Sequence, residues 1–297
     1  MTINKTTDSK NTDNKNTDEK VTDHAAYKAQ VREEVDAWKN PDKGILDKAL
    51  NVINAPIASA GDALMNAPQF GETLKNATEQ TITRLSDAAN WTLDTQKVVD
   101  AYQEESDIAG SSIKTLSDIE RLPIAVVDKQ VKLFKSKYVA LTSAQGVTTG
   151  VAGWLGIPAD VVGLITANLR AIGEYATYYG FDINKEGEQL FAMSLLAVAT
   201  SSSAEERNAA LDNTYKMVKD PETLAFNQVN EEVMSRVLRQ TATKVATNMV
   251  KTKAAQIIPA VGAVVAGGVN ANYTASVCEA AYQCYRERFL DRQEQQA

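Results

Sequence analysis

Residues 153–180, GWLGIPADVVGLITANLRAIGEYATYYG, constrain any fold this chain can adopt. Wound as a helix over 158–179, with a proline in its first turn and Gly180 just past its end, the segment carries Val162, Leu164, Ile165, Leu169 and Ile172 around most of its circumference. A helix that is apolar on most sides has to be covered on most sides. One polar seam runs through it: at roughly 100° per residue, Asp160, Arg170, Glu174 and Tyr178 fall in a stripe roughly 80° wide, with Asn168 to the other side. Buried charge is costly unless paired, so the seam has to meet another helix or a ligand. Arg170 and Glu174 stand one helical turn apart and can pair with each other. Asp160 lies too far along the axis to reach Arg170. It needs a different partner, or solvent at the helix start, where an acid complements the helix dipole.

The rest of the chain offers helices to cover this one. The text predicts a helix over 25–39 that stops before Asn40-Pro41, and an amphipathic stretch over 44–65 interrupted at Pro56 and Gly61. A long, exposed-looking helix is predicted over 70–105, and another over 111–145 with a break at Pro123. Asn184 is placed to cap a helix through Leu190, Met193, Leu195 and Leu196, and the Ser203-x-x-Glu206 capping box opens one to Lys219. Asp220-Pro221 opens the next, to about 256, and the small-residue text from Pro259 reads as one or two helices to the C-terminus. No alternating strand or two-residue hairpin signal occurs. The expected fold is all-α, a multi-helix globular domain with long helical hairpins and small-residue helix packing.

Composition agrees, with 44% hydrophobic and 23% charged residues and few aromatics. Residues 4–23 differ: NKTTD SKNTD NKNTD EKVTD is a five-residue unit repeated, polar and mixed in charge. Such text cannot bury enough apolar surface to offset its ordering entropy, so 1–24 is expected to be a disordered polar repeat tail. Beyond it, 25–127 forms an N-terminal helical region and 128–297 the core, with 45–127 continuous with that core.

The net charge of −7 argues against nucleic acid as a partner. Cys278 and Cys284 would point to different faces of one helix and cannot bridge, and the lone His24 excludes a multi-histidine metal site. No metal and no cofactor are expected. Asp160 and Glu174 would stand about 21 Å apart along one helix, too far to share a reaction centre. The text holds no Ser-His arrangement, HExxH or CxxC. Pro259, Gly262, Gly267 and Asn270 belong to a small-residue segment suited to close helix packing, and no phosphate-loop lysine accompanies its glycines. Residues 139–159 and 254–278 are uncharged and long enough to consider as membrane spans, but Thr, Ser, Gln, Asn, Gly and Pro dilute them, and the mean hydropathy of the chain is −0.28. A buried hairpin, or helices lying at a membrane surface, fits them better.

Two regions carry a family resemblance. Gln145-Gly146, Gly150, Gly156-Ile157-Pro158-Ala159-Asp160, Asn168-Leu169-Arg170 and Tyr179-Gly180-Phe181-Asp182 form the first; Pro259-x-x-Gly262-Ala263, Asn270 and 280–286 form the second. In order and separation they resemble the two signature regions of the EcsC family of bacterial proteins. The resemblance covers about 45–290 and leaves the repeat tail outside. It implies an α-helical, intracellular, membrane-associated protein without an assigned catalytic residue. It suggests a role beside membrane transport or secretion.

The leading expectation is a non-enzymatic protein at the cytoplasmic membrane face. It would bind membrane lipid or a membrane-protein partner, with its oligomeric state open. An enzyme, such as a hydrolase with a polar site near Arg170, is the alternative; a membrane-inserting helical effector is a second.

Overall fold

In a computed structural model of the chain, the described residues are 9–46, 48, 50, 61–64, 66–87, 93–109, 112–219, 231–257 and 268–296. Among them every regular element is a helix, as expected. Helix α1 is Ser9–Lys39, α2 Phe70–Ser86, α3 Thr95–Ala109, α4 Ile124–Val131, α5 Phe134–Thr149, α6 Ile157–Tyr178, α7 Glu186–Ala199, α8 Ala204–Lys219, α9 Glu231–Ile257 and α10 Val269–Gln296. Short 3₁₀ turns at Leu116–Arg121 and Gly150–Gly156 lead into α4 and α6. Residues 1–8 lie outside the description; from Ser9 the backbone already belongs to α1, where a polar tail and a helix start near 25 were expected, and the first described side chain is that of His24.

Helix α6 is the hub. It packs against α2, α5, α7, α9 and α10, and of its ring of positions only Ala159 and Arg170 are exposed. The apolar circumference read from the sequence is therefore what the neighbours cover. Helix α10, the second long core element, lies across α5, α6, α7 and α1 and buries Val277, Cys278, Tyr285 and Phe289. The stretch Gly153–Tyr178 is long and apolar enough to cross a membrane, but more than half of it is buried inside the protein. The core helix of a globular domain meets the same criterion.

Three sequence expectations are corrected. The helix expected over 70–105 is two helices. Asp87 turns extended after α2, and Asp94 caps a new start by accepting from the Gln96 amide at 3.1 Å. That helix is also less exposed than it looks, because Phe70, Thr73, Ala77, Thr81 and Leu85 form a buried stripe at helical spacing. Asn184 does not cap α7; its side chain donates to Asp182, and Lys185 stands at the cap position. The break of the 139–159 stretch before α6, by contrast, agrees with its reading as a hairpin rather than one span: it falls at Gly153, whose φ of 58° and ψ of −141° suit glycine almost alone. The helix expected over 111–145 becomes α-helical only at Ile124 and is interrupted again at Lys132 and Leu133, while two local signals stand. Pro123 marks the break before α4, and Ser203 Oγ accepts from the Glu206 amide. The Glu206 carboxylate reaches Ser202 rather than Ser203. Residues 51–60, 220–230 and 258–267 lie outside the description, and with them Pro259, Gly262 and Gly267.

The end of α6 is fixed by a left-handed glycine. Gly180 has φ of 77°, its amide donates to Thr177, and the Phe181 amide donates back to Ala176 at 2.8 Å. A Cβ at Gly180 would stand 2.8 Å from the Leu116 carbonyl oxygen, so the position has neither conformational nor steric room. Gly180→Ala is expected to cost about 2–3 kcal/mol, the sum of left-handed strain and a backbone clash. A denaturant midpoint unchanged from wild type would contradict this.

Candidate functional site

The polar seam of α6 is real as a set of residues but not as one site. Asp160, in the first turn, is buried and pairs with Lys253 of α9, Oδ2 to Nζ at 2.6 Å. Lys253 also donates to the side-chain oxygen of Asn270, at the start of α10. The amide of Asn270 reaches the Thr142 carbonyl of α5 at 3.3 Å. One lysine, absent from the sequence expectations, therefore ties the first signature region to the second. Asn168 donates to the Leu164 carbonyl and to Thr274 Oγ1 of α10. The side-chain oxygen of Asn168 and the Oδ1 of Asp160 are buried without a partner.

The expected Arg170–Glu174 pair does not form. Glu174 turns to α5 and takes Lys137 with both oxygens at 2.8 Å, while Arg170 points to solvent. The reason is the burial boundary. Glu174 faces the α5–α6 seam, and Arg170, one turn earlier, lies on the uncovered edge. Tyr178 is half-buried and works as an aromatic wedge. Its ring meets Phe134 edge-on at 4.9 Å, and its carbonyl accepts from the Tyr102 hydroxyl.

A second buried network lies at the junction of α1, α4, α6 and α10. Arg286 is 1% exposed. Its Nε and Nη2 donate to Asp128 Oδ2 at 3.1 and 3.0 Å, and its Nη1 donates to Glu34 and Gln283. Tyr27 and Tyr179 donate their hydroxyls to the two oxygens of Asp128. Burial works against the charge on Arg286, but the Asp128 carboxylate outweighs it and holds the guanidinium protonated more firmly than usual. Burial also pushes Asp128 up, opposed by Arg286 and both tyrosines. With the guanidinium and the Tyr27 hydroxyl on Oδ2 and the Tyr179 hydroxyl on Oδ1, Asp128 is committed as a pairing partner of Arg286. Nearby, Arg288 makes a bidentate pair with Glu188 at 2.6 and 2.7 Å and stacks over Phe181 and Phe191. Both cysteine thiols are pushed up to about 12 by burial, which keeps them inert as nucleophiles.

The outer face is different in kind. From 129 to 159 the chain carries Lys129, Lys132, Lys135 and Lys137 and no acid, in a protein of net charge −7. Among these lysines stand leucines that the fold leaves uncovered: Leu133 is 71% exposed, Leu141 52% and, in the 3₁₀ turn before α6, Leu155 91%. Leu133, Lys137, Ala140, Leu141 and Ala144 are all exposed and share an arc of roughly 100° on one side of α5. Sequence reasoning missed this face. The lysine spacing was visible, but Leu133 and Leu141 look like core positions until the neighbours of α5 are known. Two cavities open beside the face. One of about 510 Å³ is lined by Lys129, Lys132 and Lys135 with Tyr27, Tyr175 and Tyr282; a more apolar one of about 600 Å³ lies between α1, the end of α7 and α10.

A family model described as the EcsC protein family matches residues 29–290. Among curated proteins, the chain is similar to Protein EcsC of Bacillus subtilis (strain 168), 25% identical over 63% of this chain and 74% of that protein. It is also similar to the Uncharacterized protein YdbA of the same organism, 26% identical over 35% of this chain. That match covers 41% of YdbA, less than half of its length. No solved structure matches the chain.

Proposed function

The chain belongs to the EcsC protein family, and from that premise we propose that it is a non-enzymatic protein that docks on the inner face of the cytoplasmic membrane through α5 and the turns at its two ends. The observation that carries this reading is the exposed leucine and lysine face. Leu133 and Leu141 supply apolar area that a headgroup layer would cover, and the exposed Lys129 and Lys132 before them, with Lys137 in their arc held by Glu174, supply charge for anionic lipid. The overall negative charge of the protein does not oppose this. Salt screens distant charge, so the lipid surface meets the local lysines, of which Lys135 and Lys137 also carry Glu279 and Glu174.

The buried clusters support a division of labour. Asp160, Asn168, Asn270, Asp128 and Arg286 are committed to one another or to neighbouring helices, so in this reading these buried residues hold the fold and the outer face does the binding. A docking helix of this kind stays folded on the surface, and α6 stays in the core.

Flotation with vesicles tests it. Wild-type protein is expected to float with vesicles rich in phosphatidylglycerol, to stay behind with pure phosphatidylcholine, and to be released as salt rises. Protein that stays in the soluble fraction with both vesicle types at low salt would overturn the reading in favour of a protein partner.

A further inference from the structure

The two cavities have one feature in common that neither has alone: both are lined by Lys135 and Glu279, which pair at 2.8 Å. The ion pair is therefore lining common to a lysine-rich cavity and a more apolar one. On the first side, Lys129, Lys132 and Lys135 recur every third residue along α4 and the turn into α5, with the Tyr27 and Tyr282 rings opposite. On the second, Trp38, Leu46, Leu50, Val198 and Ala275 supply an apolar lining. Each volume lies in the range of small-molecule sites. We propose that the joined chambers bind one molecule of a single-chain anionic amphiphile, its charged head among the three lysines and its alkyl chain in the apolar chamber.

The charges of the first chamber favour an anion. Its two acids are already spoken for: Asp128 by Arg286, Tyr27 and Tyr179, and Glu279 by Lys135 and Gln283. The Glu279 carboxylate sits where an incoming anionic head would meet Lys135, so it acts as a resident competitor. A half-exposed pair of this sort is weak and opens at little cost. Opening it joins the chambers. The site goes beyond membrane docking and does not depend on it. On the α5 wheel Lys135, which lines both cavities, lies on the other side of the helix from Leu133.

The test is binding of dodecyl phosphate below its micelle concentration, followed by calorimetry or native mass spectrometry with inorganic phosphate and dodecyl maltoside as comparison probes. One molecule of dodecyl phosphate is expected per chain, bound at least about tenfold tighter than either comparison. Lys129→Glu with Lys132→Glu, both exposed positions, is expected to weaken it about tenfold. Ala275→Phe, which fills the apolar chamber, is expected to abolish it, and Glu279→Gln to tighten it about threefold. Inorganic phosphate binding as tightly would mean an anion site without a chain chamber, and dodecyl maltoside binding as tightly an apolar cavity without a head site. Either result overturns the proposal, as does no binding by wild type. Leu133→Glu with Leu141→Glu keeps the two readings apart: it is expected to lose flotation and retain dodecyl phosphate. Wild type that binds dodecyl phosphate without floating supports the cavity and removes the docking face; wild type that floats without binding it does the reverse.

Discussion

Arg286→Ala is expected to lower stability by about 3–5 kcal/mol, enough to remove much of the margin of an ordinary domain. The guanidinium is almost wholly buried and donates to groups on α1, α4 and α10 at once: Glu34, Asp128 and Gln283. Removing it leaves the Asp128 carboxylate buried with only two tyrosine hydroxyls, and opens space beside the Tyr282 ring on which Arg286 stacks. The uncompensated charge dominates the loss; packing adds to it. Arg286→Lys is expected to recover less than half, because an ammonium cannot reproduce a fork that reaches two carboxylates and an amide together. Denaturant unfolding at neutral pH reads the effect. A loss under about 1 kcal/mol would place the network among surface-type pairs and contradict the account.

Lys253→Ala is the second large effect, also expected at about 3–5 kcal/mol. Here the buried anion left behind is Asp160, whose Oδ1 already lacks a partner, and the side-chain oxygen of Asn270 loses its donor as well. Asp160→Ala alone leaves Lys253 with the Asn270 oxygen still accepting from it and so is expected to cost somewhat less. The double variant Asp160→Ala with Lys253→Ala is expected to cost clearly less than the sum of the two, since neither charge is then stranded. Additive losses would mean that the two groups do not meet in solution. Arg170→Ala, at an exposed position, is expected to change stability by less than about 0.5 kcal/mol, which separates the covered part of the seam from the open part.

Much of the fold was legible in local text. Gly180 announces the end of α6 because only glycine takes its conformation cheaply, and the apolar wheel of α6 requires the cover that α2, α5, α7, α9 and α10 provide. The partners of the seam were not legible. Lys253 stands far along the chain from Asp160, and nothing in helical periodicity says which lysine of α9 turns inward. The Arg170–Glu174 expectation failed for a related reason: spacing brings two side chains within reach, but Lys137 on the neighbouring α5 takes the acid at the α5–α6 seam. The split near 87–95 was hidden because both halves continue the same apolar pattern, and only the Asp94 cap marks the restart. The outer face was half visible: four lysines without an acid can be counted, but whether Leu133 and Leu141 are core or surface depends on where α4, α6 and α10 leave α5 bare.

The division between a holding interior and a binding outer face is tested most directly by flotation on phosphatidylglycerol vesicles with two variants side by side, below the melting temperature of each. Leu133→Glu with Leu141→Glu is expected to melt like wild type and to stay in the soluble fraction. Asp160→Asn is expected to melt lower and to float as wild type does. A folded Asp160→Asn protein that no longer floats, or a leucine variant that floats unchanged, would contradict the account.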